Sequence, residues 1–260
     1  MSCRHPNRLG ALLALALIGL CACQPAASGS SGVSATPTST PTQTPLPIAM
    51  PRPTDIPTDG SCEANVECLG LIAPGKVYRT RAFVPGLSFS IPSGGWENRS
   101  DELYVFQLLR IAAPGDAIAF FQGAHAVNPA DGSAANVAAT VPAIAAWIRS
   151  DPLLVTTAPK AVVIGGLSGV SIDIAIVSGA TNSAGDCPVQ ACVPLLRGDD
   201  LKALPPWHWD WGSGGPERQR LYLLRAPQTI VAIFVDSFDG TTFDALTAAA
   251  LPILRSVKFS

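Results

Sequence analysis

Residues 205–214 read PPWHWDWGSG, so Trp207, Trp209 and Trp211 alternate with His208 and Asp210. In an extended backbone successive side chains point to opposite sides, which would put the three indoles on one face and the imidazole and carboxylate on the other. An aromatic face suits stacking on a sugar ring or on a partner's apolar patch. A histidine beside an acid suits proton transfer. Large aromatics also dominate core packing, so the plainer expectation is that the indoles cap the core beneath a loop and leave His208 and Asp210 in solvent. Catalytic patterns are otherwise absent from the spacing. GGLSGV places Ser168 in a glycine turn without the G-x-S-x-G elbow of a serine nucleophile. Neither phosphate-binding glycine motif occurs. Asp186, Asp199 and Asp200 do not follow the ligand spacing of a calcium loop. Asp173, within an apolar alternation, could serve as one of a glycosidase's two acids, but a solvent-facing role is expected. No cofactor or metal is called for.

The N-terminus says where any such chemistry would happen. Arg4 and Arg8 precede a run of Leu, Ala, Gly and Ile from Leu9 to Leu20. Twelve residues rise only about 18 Å as a helix, short of the roughly 30 Å hydrocarbon core, so this is the h-region of a signal peptide. The segment Leu20-Cys21-Ala22-Cys23 resembles the lipobox of bacterial lipoproteins, with Leu three residues before a cysteine and a small residue just before it. That resemblance implies cleavage after residue 22 and acylation of Cys23. Choosing Cys21 instead would put the bulky Leu20 at the small position. An ordinary secretory signal, cut near the same place, is the alternative. With Cys23 acylated, Cys62, Cys68, Cys187 and Cys192 remain, an even set in an oxidising compartment. Local disulfides, 62–68 and 187–192, are expected from the short separations. A zinc site is the sharper reading, but one pair is spaced more widely than the usual C-x₂₋₄-C.

Three segments follow: 1–22 signal peptide, 23–60 lipid anchor and linker, and 61–260 a single globular domain with a long loop at 179–216. From Gln24 to Pro51 there is no charged residue, and Ser, Thr and Pro predominate. Such a tract has little to bury and is expected to stay extended. It would reach on the order of 100 Å as polyproline helix. The formal net charge of -2 gives no basic excess for nucleic acid, and no polybasic block addresses anionic lipid.

In the globular part, alternation and turn residues predict strands over 76–83, 87–91, 104–111, 117–127, 160–164, 168–178, 218–225 and 229–235, with a short one at 257–259. Leu87, Phe89 and Ile91 face one way and Ser88 and Ser90 the other, which suits a sheet wetted on one side. Val141, Ile144, Ala145, Trp147 and Ile148 predict a helix that ends at Asp151-Pro152. Phe243, Leu246, Ala250 and Ile253 predict a closing helix, capped by Thr241 with Asp244 and ended or kinked by Pro252. The fold class expected is α+β: a twisted antiparallel sheet of about six to seven strands packed by two helices.

Three stretches together, GLSFSIPSGGW at 86–96, GGLSGVSIDI at 165–174 and ILRSVKF at 253–259, resemble the pattern of PsbP-like domains, including LpqN-type lipoproteins. The resemblance implies a twisted antiparallel sheet packed by helices and a largely non-catalytic role in binding partners or assisting assemblies. It carries no catalytic residues over to this chain. The expectation is a surface-tethered, non-enzymatic lipoprotein domain on the extracytoplasmic face of the cell membrane. It would bind an envelope protein, a glycan or a small ligand, with residues 207–211 as contact. The alternative is an extracytoplasmic hydrolase of cell-envelope material, using His208 or His125 with an acid such as Asp210.

Overall fold

A computed structural model describes residues 69–180, 182–183, 191–198 and 211–260. In chain order the elements are β1 (Gly70–Leu71), β2 (Val77–Arg79), β3 (Leu87–Ser90), β4 (Trp96–Asp101), β5 (Val105–Arg110), β6 (Ala117–Gln122), β7 (His125–Ala126) and α1 (Val141–Ser150). There follow β8 (Leu154–Thr156), β9 (Lys160–Ile164), β10 (Leu167–Ile176), β11 (Asn182–Ser183), β12 (Ala191–Arg197), β13 (Trp211–Gly214), β14 (Arg218–Arg225), β15 (Ile230–Ser237), α2 (Phe243–Ser256) and β16 (Lys258–Phe259). Among the described residues the class is α+β with two helices, as expected, but the main sheet has nine strands rather than six or seven. Its order is β1-β4-β5-β6-β15-β14-β10-β8, with β9 also paired to β10, and every pair in it is antiparallel. A four-stranded sheet (β7, β11, β12, β13) and a three-stranded one (β16-β3-β2) accompany it.

The centre of the main sheet is covered on both faces. Along β15, Val231, Ile233 and Val235 enter one apolar cluster with Phe89, Phe106, Leu246 and Ile253. Ala232 and Phe234 enter another with Ile144, Ile148, Val193 and Leu195. So α2 and the three-stranded sheet cover one face, and α1 with β12 and β13 the other. This is why IVAIFV, the first six residues of β15, reads as a continuous apolar run, and every residue of the strand is buried. Clean alternation is confined to short strands such as β3.

Three segments departed from the sequence reading. Residues 179–216, expected to be one loop, contain β11, β12 and β13. The strand expected over 76–83 stops at Arg79, because the backbone N–H groups of Arg81, Ala82 and Phe83 turn inward to the Asp101 carboxylate at 2.8, 3.2 and 3.3 Å. A buried carboxylate that satisfies three donors holds such a turn as firmly as a strand pairing would. The strand expected over 117–127 is two strands: Gly123, at φ 69°, bends the chain so that β6 pairs in the main sheet and β7 joins β12.

Both helices lie where their apolar stripes place them. Thr140 caps α1, its Oγ1 accepting from the Ala143 N–H at 3.4 Å. The residue at the N-cap of α2 is Thr242 rather than Thr241, and its hydroxyl donates to Asp116 at 2.7 Å instead of capping. α2 runs through Pro252 to Ser256, with Pro252 on the exposed side where water can serve the carbonyl it strands.

The three stretches that carry the family resemblance meet in space. Leu87 of β3 pairs with Phe259 of β16. Gly165, in the two-residue turn joining β9 to β10, bridges to Lys258. Gly165 and Gly166 adopt φ 58° and 84°, as such a turn requires. A Cβ on Gly165 would also sit 2.6 Å from the Phe259 ring. Ser256 donates to Ser90 O at 3.3 Å and accepts from Ser90 N at 2.8 Å, and Ser260 N donates to Gly86 O at 2.8 Å.

Candidate functional site

On the face that carries α2, the helix packs on β14, β15 and β3, and a groove of about 320 Å³ opens beside it over β9 and β10. Its apolar part is Val162 and Ile164 from β9 with Leu251 and Leu254 from α2. Its polar part begins with Asp173 of β10 and Arg220 of β14, which lie directly opposite each other in register. They form a fork: Nε to Oδ1 at 2.6 Å and Nη2 to Oδ2 at 2.9 Å. The Arg220 guanidinium also stands 5.6 Å from the centre of the Phe243 ring. The Asp173 hydrogen bonds hold its pKa above the usual arginine value. Tyr222, buried on the same strand, has its phenol pushed up by burial. Asp173 is therefore half of an ion pair, not the simple solvent-facing residue expected. Lys160 and Arg255 stand exposed at the rim, while Thr157 and Ser171 add hydroxyls. Three cations face one carboxylate; two of them are exposed at the rim and the third is held by that carboxylate.

A second cleft, of about 350 Å³, lies at the β14–β15 turn and the start of α1. His125 lines it with Thr140, Arg225 and Thr229, and no carboxylate lines it among the described residues. Asp210, the acid that the hydrolase reading pairs with a histidine, lies outside the described residues.

The opposite face of the main sheet holds a buried polar cluster at its β13 end. Glu217 accepts from Gly214 N at 2.7 Å and from Gln219 Nε2 at 3.2 Å, and Gln219 Nε2 also donates to Gly212 O at 2.9 Å. Gln219 lies opposite Asp236. Gln219 Oε1, Asp236 Oδ1 and Ser213 Oγ are buried without a partner. Burial pushes the Asp236 carboxyl up to about 8, helped by the charge of Glu217 and, less, of Asp116, while the Gln219 side chain works against the shift. Burial also raises Glu217. Around neutrality Asp236 is thus a neutral acid whose O–H is a donor among orphaned acceptors.

Of the residues singled out by sequence, Trp211 is in β13 and packs inward. Its ring stacks on Phe234 at 5.0 Å and meets Phe121 at 5.2 Å. It is half-buried and packs against the core. Cys192, in β12, is buried and disulfide-bonded, with the other half outside the described residues. Cys23, Cys62, Cys68, Cys187, Trp207, His208, Trp209 and Asp210 also lie outside them. The groove itself went unread. Its residues are apolar or charged members of four separate elements, and only the register of β10 on β14 shows that Asp173 meets Arg220.

No helix among the described residues is long and apolar enough to cross a membrane. No family model matches the chain, and no curated protein matches it. Among solved structures the chain is similar to LpqN, described as involved in cell envelope biogenesis of Mycobacterium tuberculosis, at 11% identity and a TM-score of 0.33, over 74% of this chain and 90% of that one.

Proposed function

We propose that this chain is a lipid-tethered, extracytoplasmic, non-enzymatic domain that binds a small ligand, with the groove between α2 and β9–β10 as its site. The observation that carries the reading is the groove's construction: an apolar floor and wall, hydroxyls, and a guanidinium fixed by a forked carboxylate. A few fixed polar groups in a mostly apolar concavity are the usual makeup of a ligand site. We propose this groove, rather than residues 207–211, as the contact. The extracytoplasmic setting rests on the basic start, the short apolar run and the lipobox-like Leu20–Cys23. In that setting Cys187 is the proposed partner of Cys192, and Cys62 of Cys68.

The neutral fluorescent amine N-phenyl-1-naphthylamine tests the groove. It is expected to bind the full chain saturably. Ser171→Trp, which fills the floor from a half-buried position, is expected to weaken it at least tenfold without lowering the thermal midpoint. Binding that Ser171→Trp leaves unchanged would rule the groove out. Anchoring has a separate test. Cys23→Ala is expected to shift the chain from the membrane to the soluble fraction, because acyl chains provide the attachment. Full membrane retention of that variant would disprove acylation at Cys23.

A further inference from the structure

We infer that the groove selects an organic anion, a carboxylate or phosphate bearing a short apolar segment. The inference rests on the groove being the ligand site and adds the class of ligand. Lys160, Arg220 and Arg255 bring three positive charges to one concavity and Asp173 a single negative one, so the empty groove carries a surplus of two. Asp173 does not cancel what Arg220 offers. A guanidinium has five N–H donors. Two go to Asp173, and donors remain on the fork. Held by Asp173 and faced by the Phe243 ring, Arg220 loses little freedom on meeting a ligand. The rim cations are different: Lys160 and Arg255 are exposed, and an anion between them would gather both. The apolar half is contiguous with this charge. Leu254 and Ile164 are buried there, Val162 is half-buried, and Leu251 is 42% exposed with its side chain lining the same groove. A ligand with a charged end and a few methylenes would meet both halves at once. A wholly polar anion would leave Leu251 in water, and a neutral amphiphile would leave Lys160 and Arg255 without a counter-charge.

The test is displacement of N-phenyl-1-naphthylamine from the full chain by octyl phosphate, octanoate and the neutral octyl glucoside. Both anions are expected to compete at least tenfold better than the glucoside at 50 mM salt and to lose most of that advantage at 500 mM. The stronger of the two anions identifies phosphate or carboxylate as the headgroup. The double variant Lys160→Glu with Arg255→Glu is expected to weaken the anions more than tenfold and leave the glucoside unchanged. Both positions are exposed, and an unchanged thermal midpoint verifies that the fold is intact. Equal competition by the glucoside, no competition by either anion, or indifference to the charge reversal would overturn the anion assignment while leaving the groove as a binding site. Dye binding that ignores Ser171→Trp would remove the groove itself.

Discussion

Replacing Asp236 with Asn should flatten the dependence of stability on pH across the range from about 4 to 8. In the unfolded chain this carboxyl titrates at its ordinary value of 3.8, and in the folded chain at about 8. Between those values the native state holds a proton that the unfolded state has released. Stability contributed here is therefore full at the acid end and is lost as pH rises, levelling off above about 8. The slope reaches about 1.4 kcal/mol per pH unit, so between pH 4.5 and 7.5 the wild type should lose on the order of 4 kcal/mol relative to Asp236→Asn. Asn keeps the shape and retains a donor toward Gln219 Oε1, which Ala would not. Glu217, itself raised by burial, adds a slope of the same sign in both proteins, and that contribution cancels in the comparison up to its coupling with Asp236. Urea denaturation at four or five pH values measures the difference. Parallel curves for the two proteins would mean that Asp236 is ionised in the fold.

Gly169→Ala should destabilise by at least about 3 kcal/mol and reduce the yield of folded protein. Gly169 pairs with Leu224 where β10 runs beside β14 in the main sheet. A Cβ there would lie 1.9 Å from the Leu223 carbonyl oxygen and 2.8 Å from its carbon. Those are backbone atoms, so no rotamer change relieves the clash and the two strands must separate. The neighbouring Ser168→Ala, at an exposed position, serves as control and should be nearly neutral. The comparison is made on urea midpoints. A Gly169→Ala midpoint within the control's range would show that β10 and β14 are more loosely joined than this register implies. The separation of these strands would also part Asp173 from Arg220, so the same variant should lose the groove.

How legible the fold was depended on whether burial left a periodic trace. In α1, Val141, Ile144, Ala145 and Ile148 are all buried, and the stripe reads directly. The glycine pair at 165–166 and the turn at 226–229 marked their hairpins for the same reason: the residue types are the turn. β4 shows the opposite case. WENRSD lacks the look of a strand, yet Trp96, Asn98 and Asp101 are buried, and Asp101 is polar because its task is to receive the N–H groups of residues 81–83. β12 was hidden by Pro194, which sits at a register shift in its pairing with β13. The site was the least legible part. Asp173 and Arg220 are 47 residues apart, and each alone is an ordinary charge on a strand. A groove made where a helix stops covering a sheet has no local spacing to betray it.

Because β16 closes the three-stranded sheet on β3, some 170 positions earlier in the chain, assembly has a built-in order. A polypeptide threaded outward from its amino end delivers Lys258 and Phe259 after every other strand described, so β3 must wait beside β2 with its second edge vacant. Through that interval Leu87 lacks the cover of Phe259, and Gly165 lacks the ring that packs over it. Contacts of such long span form late and slowly. A nascent chain would therefore stay sticky until Lys258 and Phe259 had emerged, which makes their arrival, rather than the start of emergence, the step at which the domain locks.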